Sequence, residues 1–145
     1  LADEIASFGV EGVTVSGGEP LEQAEAVLEL ARRCRSRGLS VLVLTGFTLP
    51  ELRRRRPEVA AGLARHADVV VAGRYVAARR LASGLRGSAN KTIHLMSDRY
   101  RPADLEAVPP AEVMIAPDGT VTLTGVDPLT EPVGSQPPDQ PTPGA

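Results

Sequence analysis

The sequence predicts an α/β fold, because runs of aliphatic and β-branched residues alternate with segments of helical periodicity. Two apolar runs, residues 39–45 and 68–72, have the length of strands and the continuous hydrophobicity of strands that are buried on both faces of a sheet. Between them lie segments in which apolar residues recur at helical spacing. This alternation is typical of right-handed βαβ units, so we expect a parallel sheet.

The individual elements follow from local signals between residues 1 and 125. A helix over residues 21–37 begins beside Pro20 and ends at Gly38, which are the residues that helix ends prefer. Pro57 divides a polar, arginine-rich helical stretch, and an Asp118-Gly119 turn between two alternating runs predicts a C-terminal β-hairpin. The predicted helices are residues 1–8, 21–37, 49–66 and 75–81, and the predicted strands are residues 12–16, 39–45, 68–72, 92–96, 112–116 and 120–124.

The amino-acid composition argues against two classes of partner, nucleic acids and membranes. Of the 145 residues, 42% are hydrophobic, 23% are charged and 3% are aromatic, and the formal net charge is −2. A nucleic-acid partner is therefore not expected, since the chain offers neither a basic surface overall nor aromatic stacking platforms. The apolar runs are far shorter than the roughly 20 residues of a membrane-spanning helix, so we expect no membrane partner and a cytoplasmic protein.

The chain divides into two parts. Residues 1–125 form the α/β domain, whereas six of the twenty residues from 126 to 145 are proline and few are hydrophobic, which predicts a disordered tail. The chain does not begin with Met and opens directly in a helical pattern, so we expect that upstream sequence is missing. Its single cysteine, Cys34, lies on the apolar face of the second helix and is expected to be buried in the core.

Four loops follow or approach predicted strands and are expected to converge, because ligands of α/β sheets bind beyond the carboxyl ends of the strands. They are residues 16–20, 45–47, 73–75 and 86–90. In the first, two glycines let the backbone approach a ligand closely, and Glu19 stands just before the helix. A carboxylate and helix amides together would suit a zwitterionic amino-acid group. The alternative is that this loop is a tight turn whose glutamate caps the helix.

These segments resemble the radical S-adenosylmethionine (SAM) activating enzymes, in particular the activases of anaerobic ribonucleotide reductase and pyruvate formate-lyase. The resemblance lies in four segments in the same order and extends to the C-terminal hairpin, so it covers everything except the tail. The segments are residues 12–23 (GVTVSGGEPLEQ), 39–52 (LSVLVLTGFTLPEL), 67–75 (ADVVVAGRY) and 85–91 (LRGSANK).

The resemblance implies a partial (β/α) barrel, a 4Fe-4S cluster on a CxxxCxxC motif, and SAM bound to the open iron. Reductive cleavage of SAM then gives a 5′-deoxyadenosyl radical, which abstracts hydrogen from a glycine of a partner. The implied partners are a glycyl-radical enzyme, such as anaerobic ribonucleotide reductase, and an electron donor such as flavodoxin or ferredoxin. The SAM site implied for this sequence comprises Ser16, Gly17, Gly18, Glu19, Thr45, Arg86, Ser88 and Asn90.

The sequence also departs from the family pattern. The cluster cysteines are absent, and Cys34 has no cysteine partner, so we expect this 145-residue chain to bind no iron–sulfur cluster. Ala72 and Lys91 stand where the family often has Asp and Gln. Two functions remain open. The chain is most of a radical SAM activase, or it is a degenerate or truncated, non-catalytic module that binds a SAM-like ligand or a partner.

Overall fold

The computed structural model describes residues 1–109 and 111–125, and the predicted tail at 126–145 lies outside the described residues. Two short 3-10 helices, Pro20–Gln23 and Ala77–Arg79, accompany the regular elements. The helices are α1 (Ala2–Ser7), α2 (Ala24–Arg35), α3 (Leu49–Arg55), α4 (Pro57–His66) and α5 (Pro102–Glu106). The strands are β1 (Gly12–Val15), β2 (Ser40–Thr45), β3 (Val69–Ala72), β4 (Arg80–Ser83), β5 (Arg86–Ser88), β6 (Thr92–Leu95), β7 (Ala111–Ile115) and β8 (Val121–Gly125).

The central sheet has four strands in the order β1-β2-β3-β6. One face packs against the first four helices through a core that includes Leu21, Val43 and Leu63, all of which are fully buried. The other face carries a smaller cluster around Val69, Val71 and Leu105. The α/β class is therefore confirmed, as a mixed fold of parallel and antiparallel sheets. No closed barrel occurs among the described residues.

The expectation of a parallel sheet is wrong for the fourth strand. β1, β2 and β3 are parallel, but β6 runs antiparallel to β3, with Val71 opposite Ile93. A parallel partner for β3 would need a crossover that carries the chain back to the amino edge of the sheet. The chain between β3 and β6 contains a single 3-10 turn and the short antiparallel pair β4–β5, and no crossover helix. It therefore enters β6 from the edge at which β3 ends.

The predicted helices at residues 1–8 and 49–66 and the C-terminal hairpin are confirmed, and two other predicted helices need correction. The segment predicted as one helix over residues 21–37 begins as the 3-10 helix and continues as α2, whereas the break at Pro57 is confirmed. Residues 75–81 are not helical beyond one 3-10 turn and lead into β4, which the sequence did not predict. The C-terminal hairpin pairs as expected around the Asp118-Gly119 turn, with Gly119 at a φ of 85°.

In residues 1–109 and 111–125, no helix combines the length and hydrophobicity that crossing a bilayer requires. This finding agrees with the short apolar runs of the sequence.

A buried carboxylate joins four segments at the amino edge of the sheet. Asp68 is 1% exposed; its Oδ2 accepts a hydrogen bond from the Val41 amide at 2.8 Å, and its Oδ1 accepts one from the Ser97 hydroxyl at 2.5 Å. The Arg35 guanidinium at the end of α2 donates to the same Oδ1 and forms an ion pair with it. The Asp68 main chain also bonds Val41 and Met96. This one residue therefore fixes the start of β2, the end of α2 and the end of β6 relative to β3.

We expect Asp68→Asn to lower the free energy of unfolding by about 1–3 kcal/mol, because the amide places an N–H group against donors and leaves the Arg35 charge without its counter-ion. Urea denaturation measures the change. Asp98→Asn, at an exposed position just after β6, is the matched control and should change stability by less than about 0.5 kcal/mol. Equal effects of the two substitutions would contradict the role assigned to Asp68.

Candidate functional site

The four loops singled out from the sequence lie together at the carboxyl edge of β1, β2 and β3. The Gly73 amide donates hydrogen bonds to the carbonyl oxygens of Thr45 and Phe47, at 3.2 and 2.9 Å. The Asn90 side-chain amide donates to the Arg74 carbonyl at 2.8 Å. Three loops from distant parts of the sequence are thereby joined, and the antiparallel direction of β6 is the reason that the last one reaches this edge.

Glu19 links the first loop to the second. Its Oε1 accepts hydrogen bonds from the Leu21 amide at 3.0 Å and from the Thr45 hydroxyl at 2.7 Å, and its Oε2 accepts one from the Gly46 amide at 2.6 Å. The bond from Leu21 caps the 3-10 helix, so the capping alternative raised by the sequence describes a real interaction. The carboxylate does more than cap, however, because two of its three bonds brace the end of β2.

The two glycines before Glu19 present their backbone to the outside. Gly17 and Gly18 have φ values of 92° and 54°, and both are exposed, as is Ser16. A Cβ atom built on either glycine would have no neighbour within 4 Å. Their positive φ values, rather than lack of space, therefore account for glycine at these positions, and they leave the main-chain polar groups accessible to a ligand.

An open cavity of about 280 Å³ lies in front of this loop. Its lining brings together two acidic residues, Glu19 and Glu22, with the basic residue Arg74, beside Gly46 and Phe47. Groups of both charge signs around one small cavity suit a ligand that carries an ammonium and a carboxylate on the same carbon. Sequence reasoning missed Arg74 as a site residue, although its place directly after a buried strand was a usable signal.

The remaining predicted site residues occupy different surroundings. Thr45 is 2% exposed, and its hydroxyl is used by Glu19. Ser88 is fully buried and accepts a hydrogen bond from the Val76 amide at 3.2 Å, so it supports the loop from behind. Asn90 Oδ1 is buried without a hydrogen-bond partner among the described residues. Arg86 lines a separate cleft beside β6.

Charges around the edge influence one another. Burial lowers the pKa of the Lys91 ammonium, and the nearby negative charge of Glu19 partly opposes that change.

Thr48 and Glu51 form a capping box at the start of α3, in which the Thr48 amide donates to Glu51 Oε2 at 2.8 Å. Hydrogen bonds from Thr48 lower the pKa of Glu51, and the positive charge of Arg74 adds to the effect.

Comparison with known proteins adds a family. Residues 1–94 match the family model described as a 4Fe-4S single cluster domain. The chain belongs to this family. The match is consistent with the resemblance to radical SAM proteins, whereas no curated protein and no solved structure matched the chain.

Although the chain belongs to the 4Fe-4S single cluster domain family, its residues do not fit a cluster. Such clusters are held by cysteine thiolates, and the sequence has one cysteine. Cys34 is fully buried in the core on α2, and burial raises the pKa of its thiol. Among the described residues, no group of three or more His, Cys, Asp or Glu side chains could hold a metal ion. The family match therefore rests on the scaffold and not on cluster ligands within this chain.

We expect Glu19→Gln to destabilise the fold by about 1–3 kcal/mol, because either orientation of the amide sets an N–H group against a backbone donor, Leu21 on one side or Gly46 on the other. Urea denaturation measures the loss. Glu22→Gln removes the same charge from the same cavity at an exposed position and serves as the control. The clamp would be refuted if the two variants were equally stable.

The capping box produces a pH dependence. Because the folded-state pKa of Glu51 is lowered from 4.5, its contribution to stability is present above pH 4.5 and is lost as pH falls through the lowered pKa. The difference in unfolding free energy between the native chain and Glu51→Gln should therefore be constant near neutral pH and shrink on acidification. Denaturation series between neutral pH and pH 3 measure it. A difference that stays constant or grows on acidification would contradict a lowered pKa for Glu51.

Proposed function

We propose that this chain binds SAM through its methionyl group at the carboxyl edge, as the SAM-binding part of a radical SAM activase for a glycyl-radical enzyme. The observation that carries the proposal is the cavity that Glu19, Glu22 and Arg74 line together. The ammonium and carboxylate of an amino acid are the smallest ligand pair that satisfies both signs of charge. The family match over residues 1–94 supports the same assignment.

Each group has a definite role in this proposal. The accessible backbone of Gly17 and Gly18 and the carboxylate of Glu22 receive the ammonium. Glu19 acts mainly as a positioning residue, since three of its lone-pair sites are already used within the fold. Arg74 binds the ligand carboxylate as a charge-assisted hydrogen-bond donor.

The proposal assigns smaller parts to the other predicted site residues. Ser16 lies exposed beside Gly17 and offers its hydroxyl to the ligand. The unpaired Oδ1 of Asn90 is a buried acceptor, and a ligand donor would satisfy it. Thr45 and Ser88 hold Glu19 and Val76 in place from within the fold.

SAM bound in the activases that this chain resembles supplies a 5′-deoxyadenosyl radical. Because the residues of this chain do not fit a cluster, its own contribution is limited to binding and orienting SAM. The partial barrel, the glycyl-radical partner and an electron donor such as flavodoxin or ferredoxin remain parts of the proposal that follow from the resemblance.

A second candidate is a non-catalytic module that binds a SAM-like ligand. The single, buried cysteine favours it. Both candidates require the same binding site, and neither predicts that this chain alone cleaves SAM, since its residues do not fit a cluster. They differ in whether SAM is cleaved under anaerobic reducing conditions once a polypeptide that carries a CxxxCxxC cluster is added. Bound SAM that stays intact in that mixture would favour the module.

We expect Arg74→Gln to weaken SAM binding about tenfold, because one charge-assisted hydrogen bond to the ligand carboxylate is lost. Isothermal titration calorimetry with SAM and with decarboxylated SAM measures it. Decarboxylated SAM lacks the group that Arg74 is proposed to bind, so its affinity should be the same for both proteins.

Arg54→Gln is the matched control, since Arg54 is exposed on α3 and its loss removes the same charge. Its affinity for SAM should remain within about twofold of the native value. Failure of the native chain to bind SAM, or equal weakening toward both ligands by Arg74→Gln, would remove the cavity from the proposed function.

A further inference from the structure

A second cavity, of about 450 Å³, lies on the opposite face of the sheet between β6 and α5; we name it the β6–α5 cleft. Its wall contains the side chains of Ile93, Leu95 and Leu105, and Arg86 and Lys91 stand beside them. Leu95, on the edge strand β6, is 38% exposed. The cleft thus combines an open apolar wall with two cations.

Six of the nine residues that line the cleft come from a segment of one charge sign. Residues 69–97 contain five arginine and lysine residues and no aspartate or glutamate, in a chain whose formal net charge is −2. The ion pairs of Asp3, Glu29 and Asp68 involve neither Arg86 nor Lys91. The five cations are Arg74, Arg79, Arg80, Arg86 and Lys91.

We propose that the β6–α5 cleft binds an acidic segment of a partner protein that inserts an apolar side chain between Arg86 and Leu105. Charge complementarity selects the partner, because Arg86 and Lys91 in the lining of the cleft attract carboxylates, and the apolar wall supplies an anchor point. A nucleic acid fits less well, since the lining of the cleft contains no aromatic side chain on which a base could stack.

Two residues determine how such a segment would lie. Lys91 is half-buried, and a partly desolvated ammonium gains more from an incoming carboxylate than a fully hydrated one does. Glu106 stands at the α5 side of the cleft and repels carboxylates there. The acidic groups of the partner are therefore directed to the Arg86 and Lys91 side. This inference does not rest on SAM binding, since the two cavities share no lining residue.

Fluorescence anisotropy with labelled peptides tests the proposal. The probe is a decapeptide with a central Leu-Leu pair flanked by four glutamates on each side, and its partner peptide has Ser-Ser at the centre. We expect the Leu-Leu peptide to bind the full chain about tenfold more tightly, because its leucines gain apolar contact. Arg86→Gln together with Lys91→Gln should weaken binding about fivefold to tenfold.

Leu95→Ser tests the apolar anchor separately from the charges. It removes an exposed apolar side chain from the wall of the cleft, so the two peptides should then bind with equal affinity. Arg54→Gln together with Arg65→Gln removes two exposed charges elsewhere and should leave binding within about twofold. The proposal is overturned if that control weakens binding as much as the cleft variant does, if the Ser-Ser peptide binds equally well to the native chain, or if neither peptide binds. Tighter binding of a ten-nucleotide oligothymidylate would overturn it in favour of nucleic acid.

Discussion

The carboxylate of Asp68 holds the amino edge of the sheet together, and the geometry of the opposite edge depends on it. Asp68 fixes the first residues of β2 through Val41 and ties α2 to β3 through Arg35. Glu19 holds the other end of β2 through Thr45 and Gly46. The strand between them is therefore anchored at both ends by acidic side chains from other parts of the chain. A shift of β2 along its axis would break both sets of bonds, so its register relative to β1 and β3 is fixed.

The direction of β6 decides which residues can meet at the carboxyl edge. Had the fourth strand been parallel, the loop that precedes it would have lain at the amino edge, beside Asp68. Because β6 is antiparallel, Asn90 and Lys91 lie next to the end of β3 instead. The same turn of the chain brings β5 and α5 to the face of the sheet opposite the first four helices, where the β6–α5 cleft forms. The direction of β6 thus determines the cleft, whereas the cavity beside Glu19 is lined by residues that follow β1, β2 and β3.

The parts of the fold that depend on local pattern could be predicted from the sequence, and those that depend on distant partners could not. The strand at residues 39–45 and the break at Pro57 follow from continuous hydrophobicity and from backbone chemistry. The antiparallel direction of β6 depends on the absence of a crossover helix between β3 and β6. The pairing of β4 with β5 could not be predicted, because each strand has only three or four residues. Asp68 looked like a polar residue at the start of an apolar run, since its partners stand about thirty residues away.

The sequence predicted which loops form the candidate site, but not all the contacts within it. The glycines and Glu19 were recognised, but the sequence could not show that the fold uses three acceptor sites of the carboxylate. Arg74 could be assigned to the site only from the structure, in which it lines the same cavity as Glu19 and Glu22.

Burial of the single cysteine has a practical consequence. Cys34 is fully enclosed between α2 and the sheet, and thiol reagents attack the solvent-accessible thiolate. Alkylation of the native chain therefore requires an opening event that exposes Cys34 on α2. The rate of labelling by a small thiol reagent consequently reports how often the core opens, residue-specifically and without any engineered probe. Because the sequence holds one thiol, each labelled molecule records one such event in its mass.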